Sequence, residues 1–516
     1  MFGGRDRKWK TLIHNGVVFP PLYRPHGVKM KYMDVSYQLN SRAEEYISYY
    51  VEPRYDTYKD KRFKKNFFND WKKLLSGDLK KIIKNFDLCD FTDIKHHVIN
   101  FKIKEEKRDL TPYTTATVDG VEQSIDNYVI ERPTIFIGRG DHPHMGRIKL
   151  RIYPENVILN VGRDMAVPVP DIGDGEKHKW KKIIRDNTLE WIASWQNNVT
   201  KKYNYSRFGR KSSFKMNSDQ KKFDLAKKLK KNIKRIRQEN EQNLETKDDK
   251  DARLKQLAVA LYLIDRLAVR VGNEKGEDQA DTIGISTLKI KNITFSSENK
   301  INLDFLGKDS VRYLNTVKVI DSIYINLLNF TKNKKSDDFV FNLIDADDIN
   351  RYIKTFMKNL TSKVFRTYNA SNLMQKELDA LDSTQKYSKQ HILHHFNMAL
   401  LKVAKLCNHV KNVSKKSSET IKSIKDKIRD LKNTTKTLKN KAKLKEKIDL
   451  LVKKKKQKEQ GKNLSSNTSK QNYIDPRILI AFIKKHNMMD YIGSFLSAAQ
   501  QINFSWAVST NDDYRF

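Results

Sequence analysis

Acidic residues are scarce in this 516-residue chain: 62 Asp and Glu face 101 Lys and Arg, which leaves a formal net charge of +39. Self-repulsion of that size is relieved by a polyanion, so a phosphate backbone is the first partner the composition suggests. The competing account is a Lys- and Asn-rich chain whose lysines are merely solvated on helix surfaces, and charge alone does not separate the two. Cysteine is nearly absent. Cys89 and Cys407 cannot build a disulfide framework or a four-Cys zinc site, and they suit a reducing compartment as two buried free thiols. No run of about 18 apolar residues occurs, which excludes a membrane-spanning helix, and the start MFGGRDRKWK lacks the apolar stretch of a secretory signal. A soluble, intracellular protein is expected. Without a GxxxxGKS or GxxxxGKT motif, P-loop nucleotide hydrolysis is not expected. The cluster His391, His394, His395 has no Glu placed for a metalloprotease and reads as surface or packed histidines. Asp345-Ala346-Asp347-Asp348 reads as a helix cap rather than a Mg2+ site. Nothing demands a cofactor.

What is present is a foldable chain: 38% apolar and 10% aromatic residues suffice for packed cores, and at roughly 150 residues per domain the length allows three to four units. A helical pattern runs from Ser41 to Lys80. Strands are expected at Thr134–Ile137, Ile148–Ile152 and Val157–Val161, each bounded by Gly, Pro or Asp. Apolar residues at helical spacing mark Asp219–Gln242 and Ala252–Val271, short strands follow at Leu288–Ile290, Ile301–Phe305 and Val311–Tyr313, and helices resume from Val319 to Val410. Residues 411–462 differ in kind, with 20 Lys and Arg against 6 acidic residues and no aromatic, so +14 of the net charge sits there. Two thin apolar stripes, Ile421, Ile424, Ile428, Leu431 and Leu438, then Leu444, Ile448 and Leu451, predict a projecting basic antiparallel helical hairpin broken near Asn433-Thr434-Thr435. Residues 463–468 read as a polar linker, and Ser469–Phe516 is too short to be stable unless it docks on something larger.

Four basic donors stand beside turn-forming residues: Arg270 ending the helix before Val271-Gly272-Asn273, Lys308 in the turn Gly307-Lys308-Asp309-Ser310, Arg366 in Lys363-Val364-Phe365-Arg366, and His409 after Cys407-Asn408. Singly each is weak, because an Arg at a helix end usually answers the macrodipole and a turn lysine is usually solvated. Their order and wording carry more. Together with Lys8-Trp9-Lys10, Val18-Phe19-Pro20-Pro21, Lys65-Asn66-Phe67-Phe68-Asn69-Asp70-Trp71, Gly138-Arg139-Gly140, the basic hairpin and Ser469-Lys470-Gln471-Asn472-Tyr473, the chain resembles the eukaryotic-type DNA topoisomerase IB family over nearly its whole length.

That resemblance implies an α+β fold: a bilobed DNA clamp with a mixed α/β amino-terminal cap, a mainly helical tyrosine-recombinase-like catalytic domain, a basic helical hairpin and a small helical carboxy-terminal domain. The expected divisions are 1–229, 230–410, 411–462 and 463–516. It implies relaxation of supercoils through a 3′-phosphotyrosyl link made by Tyr473, with Arg270, Lys308, Arg366 and His409 completing the catalytic set. Arg139, Lys149, Arg151, Lys363, Asp309 and Asn472 are the implied DNA contacts, and His144 and Asp278 an implied pH-sensitive pair at the lips of the clamp. Double-stranded DNA is the expected partner of a monomer that needs no cofactor and no membrane. A tyrosine recombinase and a catalytically silent DNA clamp are the alternatives, the first opposed by the amino-terminal motifs. The start almost directly at the core implies a shortened chain, a compact organism or a large DNA virus, hence a nucleus or a viral replication compartment. The stretch 93–133 does not match the family pattern well, and its fold is left undetermined.

Overall fold

The computed structural model describes residues 6–101, 108–245, 251–273, 282–382, 384–411, 413, 415–434 and 441–516, and it is an α+β fold of two units, one holding the described residues up to Asn217 and the other those from Ser218 onward. In the first unit a seven-stranded sheet runs in the order Leu12–Ile13, Thr115–Val118, Val121–Asp126, Tyr203–Phe208, Trp191–Gln196, Val157–Asn160, Lys182–Ile184. All pairs are antiparallel except the last. Trp191–Gln196 is buried along nearly its whole length, as a central strand of apolar and small residues should be. Val157, Leu159, Ile192 and Trp195 supply the core on this sheet.

A second core in the same unit is aromatic. Phe63, Phe67 and Trp71, spaced four apart on the helix Lys61–Trp71, are each 0% exposed, the stripe that a 3.6-residue period aligns on one face. Tyr50 stacks on Phe67 at 4.5 Å. The undetermined stretch contributes the helix Thr92–Asn100 and two sheet strands. These strands meet at Asp119-Gly120, where φ is +50° and +80°, the Asp-Gly turn that suits a right-twisted hairpin. The strand expected over Ile148–Ile152 stops at Lys149, because the Leu150 amide donates to Asn198 Oδ1 at 3.0 Å instead of extending a ladder.

The second unit is mainly helical. Helices Ala252–Leu267, Ala346–Phe356, Ser362–Asp379, Lys389–Leu406 and Pro476–Lys485 share one core with a three-stranded antiparallel sheet, Ile293–Ser296, Lys300–Gly307 and Val311–Lys318. Ile474, Ile478, Phe482, Phe495 and Phe504 from the carboxy-terminal segment enter that core, which is what the segment's small size requires. Asp345 caps Ala346–Phe356 reciprocally with Asp348, at 2.7 and 3.2 Å, so the acidic cluster is spent on a helix start. The basic hairpin comprises Lys415–Thr434 and Lys441–Gly461, with Lys425 facing Glu459 at 3.7 Å; the residues between the helices are outside the described set. It does not project along its whole length. Gly461 lies so close to Leu401 that an added Cβ would come within 2.8 Å of it, and His394 Nδ1 hydrogen-bonds Gln457 at 3.1 Å, so the second helix rests on Lys389–Leu406. The expected linker is shorter than 463–468, since the helix Ser466–Asn472 starts inside it.

Candidate active site

Arg270 does not end a helix. Ala252–Leu267 terminates at Ala268, which takes a left-handed φ of +50°, and the chain beyond it pairs by backbone with the 285 segment: the Ile285 amide donates to Arg270 O at 3.0 Å and Ser286 to Val271 O at 2.7 Å. Gly272 and Gly284 cross so closely that a Cβ on either would meet the other's backbone below 3 Å, and only glycine permits this approach. Arg270 is thereby held on an extended segment beside the helical core. Lys308 is exposed at the start of the short turn Lys308–Ser310 that joins the two long strands. Arg366 lies inside Ser362–Asp379 and is 5% exposed. His409 follows the left-handed Asn408 just after Lys389–Leu406.

These four line one cleft of about 210 Å³ together with Tyr313 and Cys407. Arg366 Nη2 donates to the Cys407 carbonyl and stands 3.3 Å from His409 Nε2. Arg366 Nε is buried with no hydrogen-bond partner among the described residues, a donor that calls for an acceptor from outside. Tyr473 is not one of the cleft's lining residues but borders its cations: the Arg366 guanidinium carbon is 4.9 Å from the Tyr473 ring centre, and the His409 ring centre is 5.4 Å away. The Tyr473 side chain also interacts with Arg270.

The electrostatics follow from burial and crowded positive charge. His409 is pushed down to about 3, first by desolvation and then by the charges of Arg366 and Arg270, so it is a neutral imidazole at physiological pH. Arg270 is lowered by burial and by Arg366, with Tyr473 opposing. Burial raises the Cys407 thiol, against the pull of Arg366, so Cys407 is an inert thiol beside the cleft.

The backbone around Tyr473 is anchored by Ser371, which sequence reasoning missed, and by the cap residue Asp475. Ser371 Oγ donates to Tyr473 O and accepts from the Asp475 amide, both at 3.0 Å. Asp475, fully buried, caps Pro476–Lys485 and takes a two-pronged ion pair from Arg477, with Nη2 at 2.8 Å. Ser469 Oγ hydrogen-bonds His409 Nδ1 at 2.6 Å. The one available signal was Ser469's place in the same string as Tyr473.

Of the expected DNA contacts, Lys363 is exposed on the first turn of the Arg366 helix, Asn472 is exposed immediately before Tyr473, and Asp309 shares the Lys308 turn. Arg139, Lys149 and Arg151 belong to the first unit. Arg139 is exposed between two glycines of positive φ. Lys149 donates to Glu131 at 2.6 Å. Arg151 lies beyond the strand end, pairs with Glu45 at 2.7 Å and donates to the Pro20 and Pro21 carbonyls, with both charged side chains 10% exposed or less; its guanidinium is committed inside the unit. Asp278, the expected partner of His144, falls outside the described residues. No group of three or more His, Cys, Asp or Glu among the described residues is arranged to hold a metal ion, and no described helix is long and apolar enough to cross a membrane.

Three family models match in succession: the DNA binding fragment of eukaryotic DNA topoisomerase I over residues 7–208, its catalytic core over 211–442, and the C-terminal topoisomerase domain over 445–516. The chain is 35% identical to human DNA topoisomerase 1 over 560 residues, covering 99% of this chain and 72% of that protein. It belongs to the eukaryotic DNA topoisomerase I family. DNA topoisomerase 1 alpha of Arabidopsis thaliana is 36% identical over 567 residues, and DNA topoisomerase 1 of Candidozyma auris 38% over 450. The chain spans 60% of the length of the first and 59% of the second, and they cover 100% and 83% of it. Arg270, Lys308, Arg366 and His409 lie in the stretch matched by the catalytic core, and Tyr473 lies in the stretch matched by the C-terminal domain.

Proposed function

We propose that this chain is a type IB DNA topoisomerase that relaxes positive and negative supercoils by cutting one strand through Tyr473, letting it rotate and resealing it. The observation that carries the reading is the buried Nε of Arg366, unpartnered among the described residues, in a cleft lined by Arg270 and His409 and bordered by the Tyr473 ring. A tyrosine of ordinary pKa near 10 is a poor nucleophile; fixed cations around the phosphate make the attack feasible. In the proposed step the Tyr473 oxygen bonds to phosphorus as the P–O5′ bond breaks. The phenol proton leaves to solvent, and Lys308, on its exposed turn, supplies a proton to the departing 5′ oxygen. Arg270 and Arg366 hold the non-bridging oxygens, and neutral His409 donates a further hydrogen bond.

Because one phosphodiester is exchanged for another, bond energy is conserved and resealing needs no ATP. Lys363, Asn472, Asp309 and Arg139 are proposed to touch the duplex, and the hairpin to add non-specific phosphate attraction. A monomer acting on double-stranded DNA in the nucleus is the setting we infer from the family's eukaryotic range and the Lys453–Lys456 tract. Plasmid relaxation in EDTA without ATP tests the reading: the wild-type chain should relax supercoils of both signs and Tyr473→Phe should relax neither. Equal relaxation by the two, or none by the wild type, refutes it.

A further inference from the structure

A neutral imidazole carries one N–H, and its location decides whether His409 can serve a phosphate. Nε2 faces the cleft, 3.3 Å from an Arg366 nitrogen that can only donate. Nδ1 lies 2.6 Å from Ser469 Oγ, and Ser469 is 0% exposed. A carbonyl or carboxylate in the place of that hydroxyl would take Nδ1–H and leave Nε2 bare, a ring unable to donate to an anion. A hydroxyl is donor and acceptor both. When Ser469 O–H turns toward Nδ1, the imidazole hydrogen must sit on Nε2 and point into the cleft.

We infer that Ser469 sets the tautomer of His409: its hydroxyl donates to Nδ1 when a phosphate occupies the cleft, so that neutral His409 offers Nε2–H to a non-bridging oxygen. In the empty cleft the same hydroxyl accepts Nδ1–H while Arg366 donates to Nε2. The switch needs only a hydroxyl rotation and a change of tautomer, with no net gain or loss of protons. The Ser469 carbonyl also accepts from the Tyr473 and Ile474 amides at 2.9 and 3.1 Å, so one turn of helix orients the imidazole and the backbone that carries the nucleophile. Ser469 touches no reacting atom in this scheme and is a positioning residue. The inference rests on the function proposed above.

The test is single-turnover cleavage of a duplex whose cut end cannot religate, using the full chain. Ser469→Ala should cleave about 10-fold more slowly than wild type with equilibrium DNA binding unchanged, since one hydrogen bond to the transition state is weakened, while the lost buried contact lowers the melting temperature without unfolding the chain at the assay temperature. In the His409→Gln chain, whose amide donates without any tautomer to set, adding Ser469→Ala should cost less than about 2-fold. Independently, nitrogen chemical shifts of 15N-histidine in the Tyr473→Phe chain bound to the same duplex should read Nε2–H at His409, and a mixture once Ser469→Ala is added. An unimpaired Ser469→Ala, an equal loss in the His409→Gln chain, or Nδ1–H in the complex overturns the inference. Absence of cleavage by the wild-type chain counts instead against the proposed function, so the two failures are distinguishable.

Discussion

Substituting His409 should remove a proton-uptake step from unfolding. In the folded chain His409 is held near 3, whereas an unfolded histidine titrates near 6.5. A lowered folded value means that the unfolded state binds the proton first, so the contribution to stability is complete above pH 6.5 and is lost as pH falls from there toward 3. At pH 5.5 the unfolded imidazole is about 0.9 protonated and the folded one essentially unprotonated, so wild type should take up about 0.9 proton more than His409→Gln on unfolding. Between pH 7 and 5 full linkage amounts to about 2 kcal/mol; screening in an open cleft reduces the expected value to about 1 kcal/mol. Potentiometric proton uptake on guanidinium unfolding reads this difference without assuming that the two units unfold together. Carboxylates, and other histidines lowered by burial such as His14 and His486, are common to both chains and cancel. Equal uptake by the two chains at pH 5.5 would mean that burial and the charges of Arg366 and Arg270 do not hold His409 neutral, and the electrostatic description of the cleft would be wrong.

Ser371→Ala strands the Asp475 amide and the Tyr473 carbonyl in the interior, so it should cost about 1–3 kcal/mol in denaturant titration and slow cleavage through Tyr473. Arg477→Ala leaves a fully buried Asp475 with its main counter-charge gone and should cost about 3 kcal/mol; a melting temperature within a degree of wild type would contradict that. Replacing the exposed Lys453, Lys454 and Lys456 by Gln should weaken duplex binding and flatten its salt dependence by about one unit for each phosphate no longer neutralised, leaving cleavage at saturating DNA unchanged. A salt slope identical to wild type excludes the hairpin from the duplex. Arg366→Lys keeps the charge but loses the planar fork that faces Cys407 O and His409, and single-turnover cleavage should fall by about 100-fold or more.

The helices were legible wherever apolar spacing was strong: Asp219–Gln242 is recovered inside Ser213–Gln242, and Asp475-Pro476 starts Pro476–Lys485 as a cap and first-turn pair should. Ends were less legible, because tertiary partners decide them. Ala268 breaks a helix whose pattern ran on to Val271, and only the crossing of Gly272 and Gly284 explains where Arg270 then goes. Arg151 read as a strand residue open to phosphate, but its counter-charge Glu45 is 106 positions away, a distance no local pattern spans. Ser371 was invisible for the same reason, since its two partners lie 102 and 104 positions further along the chain. Sequence motifs named Arg270, Lys308, Arg366 and His409, and folding brings these four to one cleft with Tyr473 beside it.

In the proposed reaction the Tyr473 oxygen is the atom that takes the phosphate when the strand is cut. Rapid denaturation of the chain acting on end-labelled duplex, followed by protease digestion and mass spectrometry, tests it most directly. A peptide containing Tyr473 should be found linked to the 3′ phosphate of the broken strand, and it should be absent from Tyr473→Phe. A link through another residue, or to a 5′ phosphate, contradicts it.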